Sequence, residues 1–208
     1  MSLRKILPLV AILLAVSVVP TFAVKPDQRD TIVDVAIAVN EEGPYAGSFD
    51  ILIGAIIAAD EAVFETLDGN GQFTVFAPTD DAFVDLFRLE EGEILEYLAS
   101  IEDDSPEQAA LTGILLYHVA RGNRESGEVL DSDRIRMLSG DFAYISIQGG
   151  VPYINDSAII IPDVTAPDNG VIHVIDAVLI PPTPAPAPPG TTSSAGQLPT
   201  IWANIRTK

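Results

Sequence analysis

The chain has 208 residues, 30 Asp and Glu against 11 Lys and Arg, a net charge of -19, an apolar share of 48% and no cysteine. That length holds one ordinary domain with flanking segments, and the apolar share is enough for a core, which excludes a disordered chain. The scarce basic residues form no run, so the electrostatic footprint of a nucleic-acid binder is missing, and zero cysteines exclude disulfides, thiolate metal sites, a cysteine nucleophile and cysteine-linked lipid.

Arg4 and Lys5, an apolar run from Ile6 to Val19, and the small residues Thr21 and Ala23 read as a secretory signal over residues 1–23. The run is shorter than the ~20 residues that span a bilayer, and it is broken by Pro8, so cleavage is expected and no stable membrane span after it. Losing Arg4 and Lys5 makes the secreted chain more acidic by two charges. At the other end, PPTPAPAPP and the Gly-Thr-Thr-Ser-Ser-Ala-Gly stretch after it read as a spacer, so residues 183–208 are expected to be linker and short tail, with neither a second domain nor a glycolipid-anchor signal. Residues 24–182 are then the folded domain.

Along that domain, Asp30-Thr31 stands before Ile32, Val35, Ala36 and Val39, a capped helix, and Phe49 to Ala59 repeats the helical spacing. Gly69-Asn70-Gly71 forces a turn into a strand from Gln72 to Ala77; Pro78 ends it, and Thr79 or Asp80 caps a helix burying Phe83 and Leu86. Ser105-Pro106-Glu107-Gln108 is a capping-box start for a helix through Leu111, Ile114, Leu115 and Val119, with Gly122 past its end. Strands are predicted at Phe142–Ile147, Ser157–Ile161 and Gly170–Ile180, with Gly149-Gly150 turning into a short strand at Val151–Ile154. The last strand is apolar on both faces and belongs inside the structure. Helices first and strands last give an α+β domain, a helical layer on a mostly antiparallel sheet.

Little in this pattern points to chemistry. His118 follows Ile114 by four residues on an apolar helix face and His173 alternates with Val171 and Ile175, so both read as neutral core imidazoles, and two histidines make a poor metal site. The adjacent pairs Asp80-Asp81 and Asp103-Asp104 diverge and form no acid/base couple. No catalytic or phosphate-binding motif appears. Asp68-Gly69-Asn70-Gly71 starts like a calcium loop, but Phe73 and Thr79 stand where Gly and Glu are needed, leaving only diffuse calcium binding by Glu90, Glu91, Glu93 and Glu96. Asn155-Asp156-Ser157 is a formal glycosylation acceptor.

Three segments taken in order resemble the fasciclin (FAS1) family: Phe73-Thr74-Val75-Phe76-Ala77-Pro78-Thr79-Asp80-Asp81-Ala82-Phe83, then Leu116-Tyr117-His118-Val119, then Asn169-Gly170-Val171-Ile172-His173-Val174-Ile175-Asp176 running on to Pro182. The resemblance covers nearly the whole domain and is closest to the secreted single-domain bacterial members. It implies a β-wedge or sandwich of mostly antiparallel strands under a helical layer, no catalysis, no cofactor and no metal. It also implies an extracellular, periplasmic or cell-surface adhesion module whose partner is a surface or matrix protein or a polysaccharide. The motif residues Phe76, Pro78, Thr79, Asp80, Asn169, Gly170, His173 and Asp176 are expected to be mainly structural. In animal relatives an Asp-Ile pair and the Tyr-His region are implicated in receptor binding; the matching candidates are Asp163, Val164, Tyr117 and His118, with Val in place of Ile and one extra residue before Asn169. An acid excess implies salt-sensitive binding to basic or cation-bridged partners and poor attachment to bare anionic polymers. The alternative is a carrier of an apolar pigment or lipid, with Phe142, Tyr144 and Tyr153 lining a groove.

Overall fold

The computed structural model describes residues 31–166 and 169–182. The expected signal over 1–23 and the linker and tail over 183–208 lie outside these residues.

Thr31 opens α1 (Ile32–Glu41) with a reciprocal capping box, its hydroxyl accepting from the Asp34 amide while the Asp34 carboxylate accepts from the Thr31 amide. The predicted helix at 49–59 is α2 (Asp50–Ala58), and a separate α3 (Glu61–Asp68) follows, capped by Asp60 through the Ala62 amide. Then come β1 (Phe73–Pro78), α4 (Asp80–Phe87), α5 (Glu91–Ala99) and α6 (Pro106–Leu116). Ser105 caps α6 through the Gln108 amide at 3.1 Å, but the Gln108 side chain accepts from Asp104 rather than Ser105, so the reciprocal box is not closed. The helix also stops at Leu116 instead of running toward Gly122, because Val119–Arg121 leaves it to pair with β1 as β2.

The remainder is α7 (Ser126–Leu130), β3 (Arg134–Arg136), β4 (Phe142–Gln148), β5 (Val151–Ile154), β6 (Ser157–Ala166) and β7 (Gly170–Ile175). The seven strands run in the order β2-β1-β7-β6-β5-β4-β3. Every neighbouring pair is antiparallel except β1 and β7, which are parallel from Phe73 opposite Gly170 to Pro78 opposite Ile175. The two outer strands approach each other: Ala120 bridges Met137, and the Leu138 amide reaches the Val119 carbonyl at 2.7 Å. The sheet thus curls into a wedge, as the α+β reading with mostly antiparallel strands expects.

Two apolar clusters result. Val75, Ala77, Ile172, Val174 and Val178 face the helices with Ile51, Ala55, Ile94, Leu98 and Leu111. Phe76, Ile175 and Leu179 face the inside of the wedge with Tyr117, Ile135, Ala143 and Ile154. The two-sided apolar pattern of the last strand is accounted for, since its alternate residues feed different cores. The strand is shorter than predicted, however. At Asp176 the carboxylate takes the Ala158 amide at 2.7 Å and the Ser157 hydroxyl at 3.1 Å, and the chain bends away.

Candidate functional site

The first of the three resembling segments, Phe73 to Phe83, is a corner that ties two helices to the sheet. Phe76 is buried in the wedge with its ring centroid 5.4 Å from that of His173, and Pro78 closes the β1–β7 ladder. Thr79 caps its own helix α4 through the Ala82 amide. Asp80 does something different: its carboxylate accepts the amides of Asp50 at 3.0 Å and Ile51 at 2.9 Å, capping α2 from across the helical layer. Burial raises its pKa above the ordinary 3.8, although both amide bonds pull the other way. Carboxylate oxygens of Asp50, Asp80 and Glu91 lie within 4.8 Å of one another. Oxygen donors suit a hard cation, but both Asp80 oxygens are engaged by amides, and helix capping accounts for the cluster. Of the acidic run expected to bind calcium diffusely, Glu90 and Glu93 form the capping box of α5.

The Tyr-His motif lies inside the molecule. Tyr117 is buried, donates its hydroxyl hydrogen to the Phe142 carbonyl at 3.0 Å and accepts from the Asn155 amide group at 3.0 Å; burial raises its pKa. His118 stands after α6, not on it. Its Nδ1 faces the Ile114 carbonyl at 2.8 Å and its Nε2 accepts the Leu179 amide at 2.9 Å, which fixes the neutral tautomer with hydrogen on Nδ1. Full burial pushes its pKa down to about 4, the Ile114 bond opposing. Burial closes His118 off from a partner in this conformation, whereas Tyr117, though buried, reaches the lining of a groove. Asn155 is likewise engaged, its amide nitrogen on Tyr117 and its oxygen accepting from Tyr144, so a glycan there would displace the Tyr117 bond.

The third segment, from Asn169 onward, is a set of clamps. Asn169 is buried, with its side-chain oxygen on the Ile32 amide at 2.6 Å and its nitrogen donating to the carbonyls of Leu67 at 2.6 Å and Gly69 at 3.1 Å, joining the start of α1 to the end of α3. A Cβ on Gly170 would lie 2.0 Å from the Phe73 carbonyl oxygen, so only glycine lets β7 meet β1. His173 is fully buried, with Nε2 facing the Arg124 carbonyl at 2.9 Å and Nδ1 accepting the Asp163 amide at 3.2 Å. Burial lowers its pKa, against the Arg124 bond and the Asp163 charge.

Asp163, a candidate contact from the resemblance, sits within β6 where the register shifts between Ile161 and Val164, with φ of 59°. Pro162 and Asp163 together stand opposite the single residue His173, so they bulge out of the ladder. The Asp163 carboxylate accepts from the Ser126 amide at 2.7 Å and from its hydroxyl, holding the start of α7. Val164 is half-buried against the helical core.

An open groove of about 540 Å³ runs between β4 and the segment Ala177–Pro182. Phe142 and Tyr144 line it with Tyr117, Asn155 and Asp156, whereas Tyr153 does not. Beside it lies a feature that the sequence reading missed. Ala120, Ile135 and Met137 turn into the wedge core, so their neighbours Arg121, Arg134 and Arg136 stand on the outer surface. Arg136 pairs across the ladder with Phe142 and Arg134 with Tyr144, and the Arg134 guanidinium carbon lies 4.4 Å from the Phe142 ring centroid. The alternation Arg-Ile-Arg beside Met137 carried this signal, but over so few residues that it reads equally as loop.

A fasciclin domain family model matches residues 47–181, the span that holds the corner, the Tyr-His motif and the clamps. The chain belongs to the fasciclin family. It is 38% identical over 156 residues to Protein sll1483 of Synechocystis sp., covering 75% of this chain and 76% of that one. It is 34% identical over 146 residues to the uncharacterized protein sll1735 of the same organism, covering 70% of this chain and 96% of the other. The transforming growth factor-beta-induced protein ig-h3 of Sus scrofa is 34% identical over 66% of this chain, which spans 18% of that protein. Among solved structures, a FAS1 domain pair from the insect cell adhesion molecule fasciclin I gives a TM-score of 0.48 at 17% identity, over 64% of this chain and 45% of that one. No helix among the described residues is long and apolar enough to cross a membrane.

Proposed function

We propose that this protein is a secreted, noncatalytic adhesion module that attaches to a component of a cell surface or extracellular matrix. Fasciclin domains generally serve as noncatalytic adhesion modules, and membership of that family is the observation that carries the reading. The geometry agrees with it. Both histidines, Asp80, Asn169 and Asp176 are engaged in hydrogen bonds that hold the fold, while Tyr144, Ile147 and Val151 leave apolar surface on β4 and β5 exposed. Binding of the purified chain to cells, extracellular polymers and matrix proteins at low and high salt tests the reading; no binding to any of them sinks it.

The apolar-carrier alternative draws on the groove, in which Phe142 and Tyr144 sit as that reading requires. Its lining mixes the polar Asn155, Asp156 and Tyr117 hydroxyl with the apolar Val178, Leu179 and Ile180, so a purely apolar lipid or pigment would leave buried polar groups unmatched. Absorbance and native mass spectrometry of the isolated chain decide between the two.

A further inference from the structure

We infer that the groove beside β4, with the arginines at its rim, binds a uronate-bearing polysaccharide. The inference rests on the adhesion reading and names the partner's chemistry and its site.

The charge distribution comes first. The arginines of the described residues are Arg88, Arg121, Arg124, Arg134 and Arg136, and no lysine accompanies them. All but Arg88 fall on the short stretch from β2 to β3, and Arg121 and Arg136 flank the bridge between Ala120 and Met137. Arg121, Arg134 and Arg136 are exposed and form no ion pair among the described residues, while Arg88 pairs with Asp85 at 3.2 Å on the helical side. In a chain with 30 acidic residues, three neighbouring cations left without a carboxylate are complementary to an external anion. At physiological salt, screening over ~8 Å lets such a patch act locally despite the net charge.

The groove then says which anion. Tyr144 is 58% exposed and Phe142 is 38% exposed, giving flat apolar faces of the kind on which the C–H face of a pyranose ring stacks. Asn155 and Asp156 supply planar polar groups for hydroxyls. Asp156 repels a carboxylate from that wall, so a sugar acid would orient with hydroxyls toward Asn155 and its carboxylate toward Arg134 and Arg136. Arg134 lies over the Phe142 ring, and its guanidinium keeps N–H donors for a bidentate carboxylate. A polymer of uronic acids offers a ring and a carboxylate at every residue, and repetition along the chain compensates for a shallow site.

The test is titration of the full chain with a polygalacturonate oligosaccharide and with a neutral glucan oligosaccharide of equal length, in low and high salt. The expected result is saturable uronate binding at least tenfold tighter than glucan binding, weakened by salt. Tyr144→Ala and Arg134→Ala should each weaken it at least fivefold, Arg134→Lys less, and Arg88→Ala not at all; unchanged melting temperatures show that these exposed substitutions leave the fold intact. Equal affinity for glucan, insensitivity to both groove variants, or an Arg134-dependent dimer that blocks uronate binding would overturn the inference. Absence of uronate binding in a chain that still attaches to cells or matrix proteins removes this inference alone; absence of both removes the adhesion reading as well.

Discussion

The Nε2 atom of His118 accepts the backbone amide of Leu179, so the Tyr-His motif is fastened directly to the chain that leaves the last strand. Because Nδ1 serves the Ile114 carbonyl, protonation forces a hydrogen onto an atom already facing a donor. The unfolded imidazole titrates near 6.5 and the folded one at about 4. Between those values the unfolded chain binds more protons, so stability is complete above the upper value and falls as pH drops toward the lower, by roughly 3 kcal/mol for this group. Urea unfolding from pH 7 to pH 4 should show that loss. His118→Phe should cost about 3 kcal/mol at pH 7 and flatten the slope, the remainder coming from His173.

Asp80 caps a helix other than its own, and this predicts an order among variants. Asp80→Ala strands the amides of Asp50 and Ile51 and should cost about 2 kcal/mol. Asp80→Asn keeps one acceptor and relieves repulsion from Glu91 and Asp50, so it should cost less than half as much. Its raised pKa acts with the opposite sign to that of His118, since the folded state takes up the proton first as pH falls below it. Equal losses for Ala and Asn in chemical denaturation would refute the capping role.

Gly170 and Asn169 should tolerate almost nothing. Gly170→Ala places a methyl group against the Phe73 backbone and should destabilise by about 3 kcal/mol or more, or abolish folding. Asn169→Asp keeps the acceptor for Ile32 but cannot donate to Leu67 and Gly69, so it should be at least as harmful as Asn169→Ala. Thermal melting of the three variants checks this.

For Asp163 the structure separates a latch from a contact. Asp163→Ala removes both bonds and should lose about 1 kcal/mol or more, Ser126→Ala removes only the hydroxyl bond and should lose less, and the double variant should lose little more than Asp163→Ala alone. Hydrogen exchange should quicken across α7 in all three. If Asp163→Ala instead weakens attachment to a partner while Ser126→Ala does not, the side chain acts by contact.

Much of this was legible in the residues. The capped starts at Thr31 and Ser105, the strand into Pro78 and the two-faced last strand follow from local spacing and capping chemistry. The resemblance of three segments located the clamps. What local pattern could not show was set by distant partners. Val119 and Ala120 continue a helical spacing, yet pairing with β1 draws them into a strand. Asp80 looks like a local cap and serves α2 instead. Asp163 is a candidate contact by resemblance and is held by Ser126 across the fold. The groove depends on Phe142, Asn155 and Leu179 meeting, and no stretch of sequence contains all three.

The parallel contact between β1 and β7 has a bearing on how the protein can be made. β7 enters between β1 and β6, and the Asn169 clamp reaches back to Ile32 across 137 residues. Loops of that length close late, so an incomplete chain lacks the strand that unites both cores and stays open. Any nick or truncation before Gly170 should for the same reason abolish the whole domain, not merely trim it.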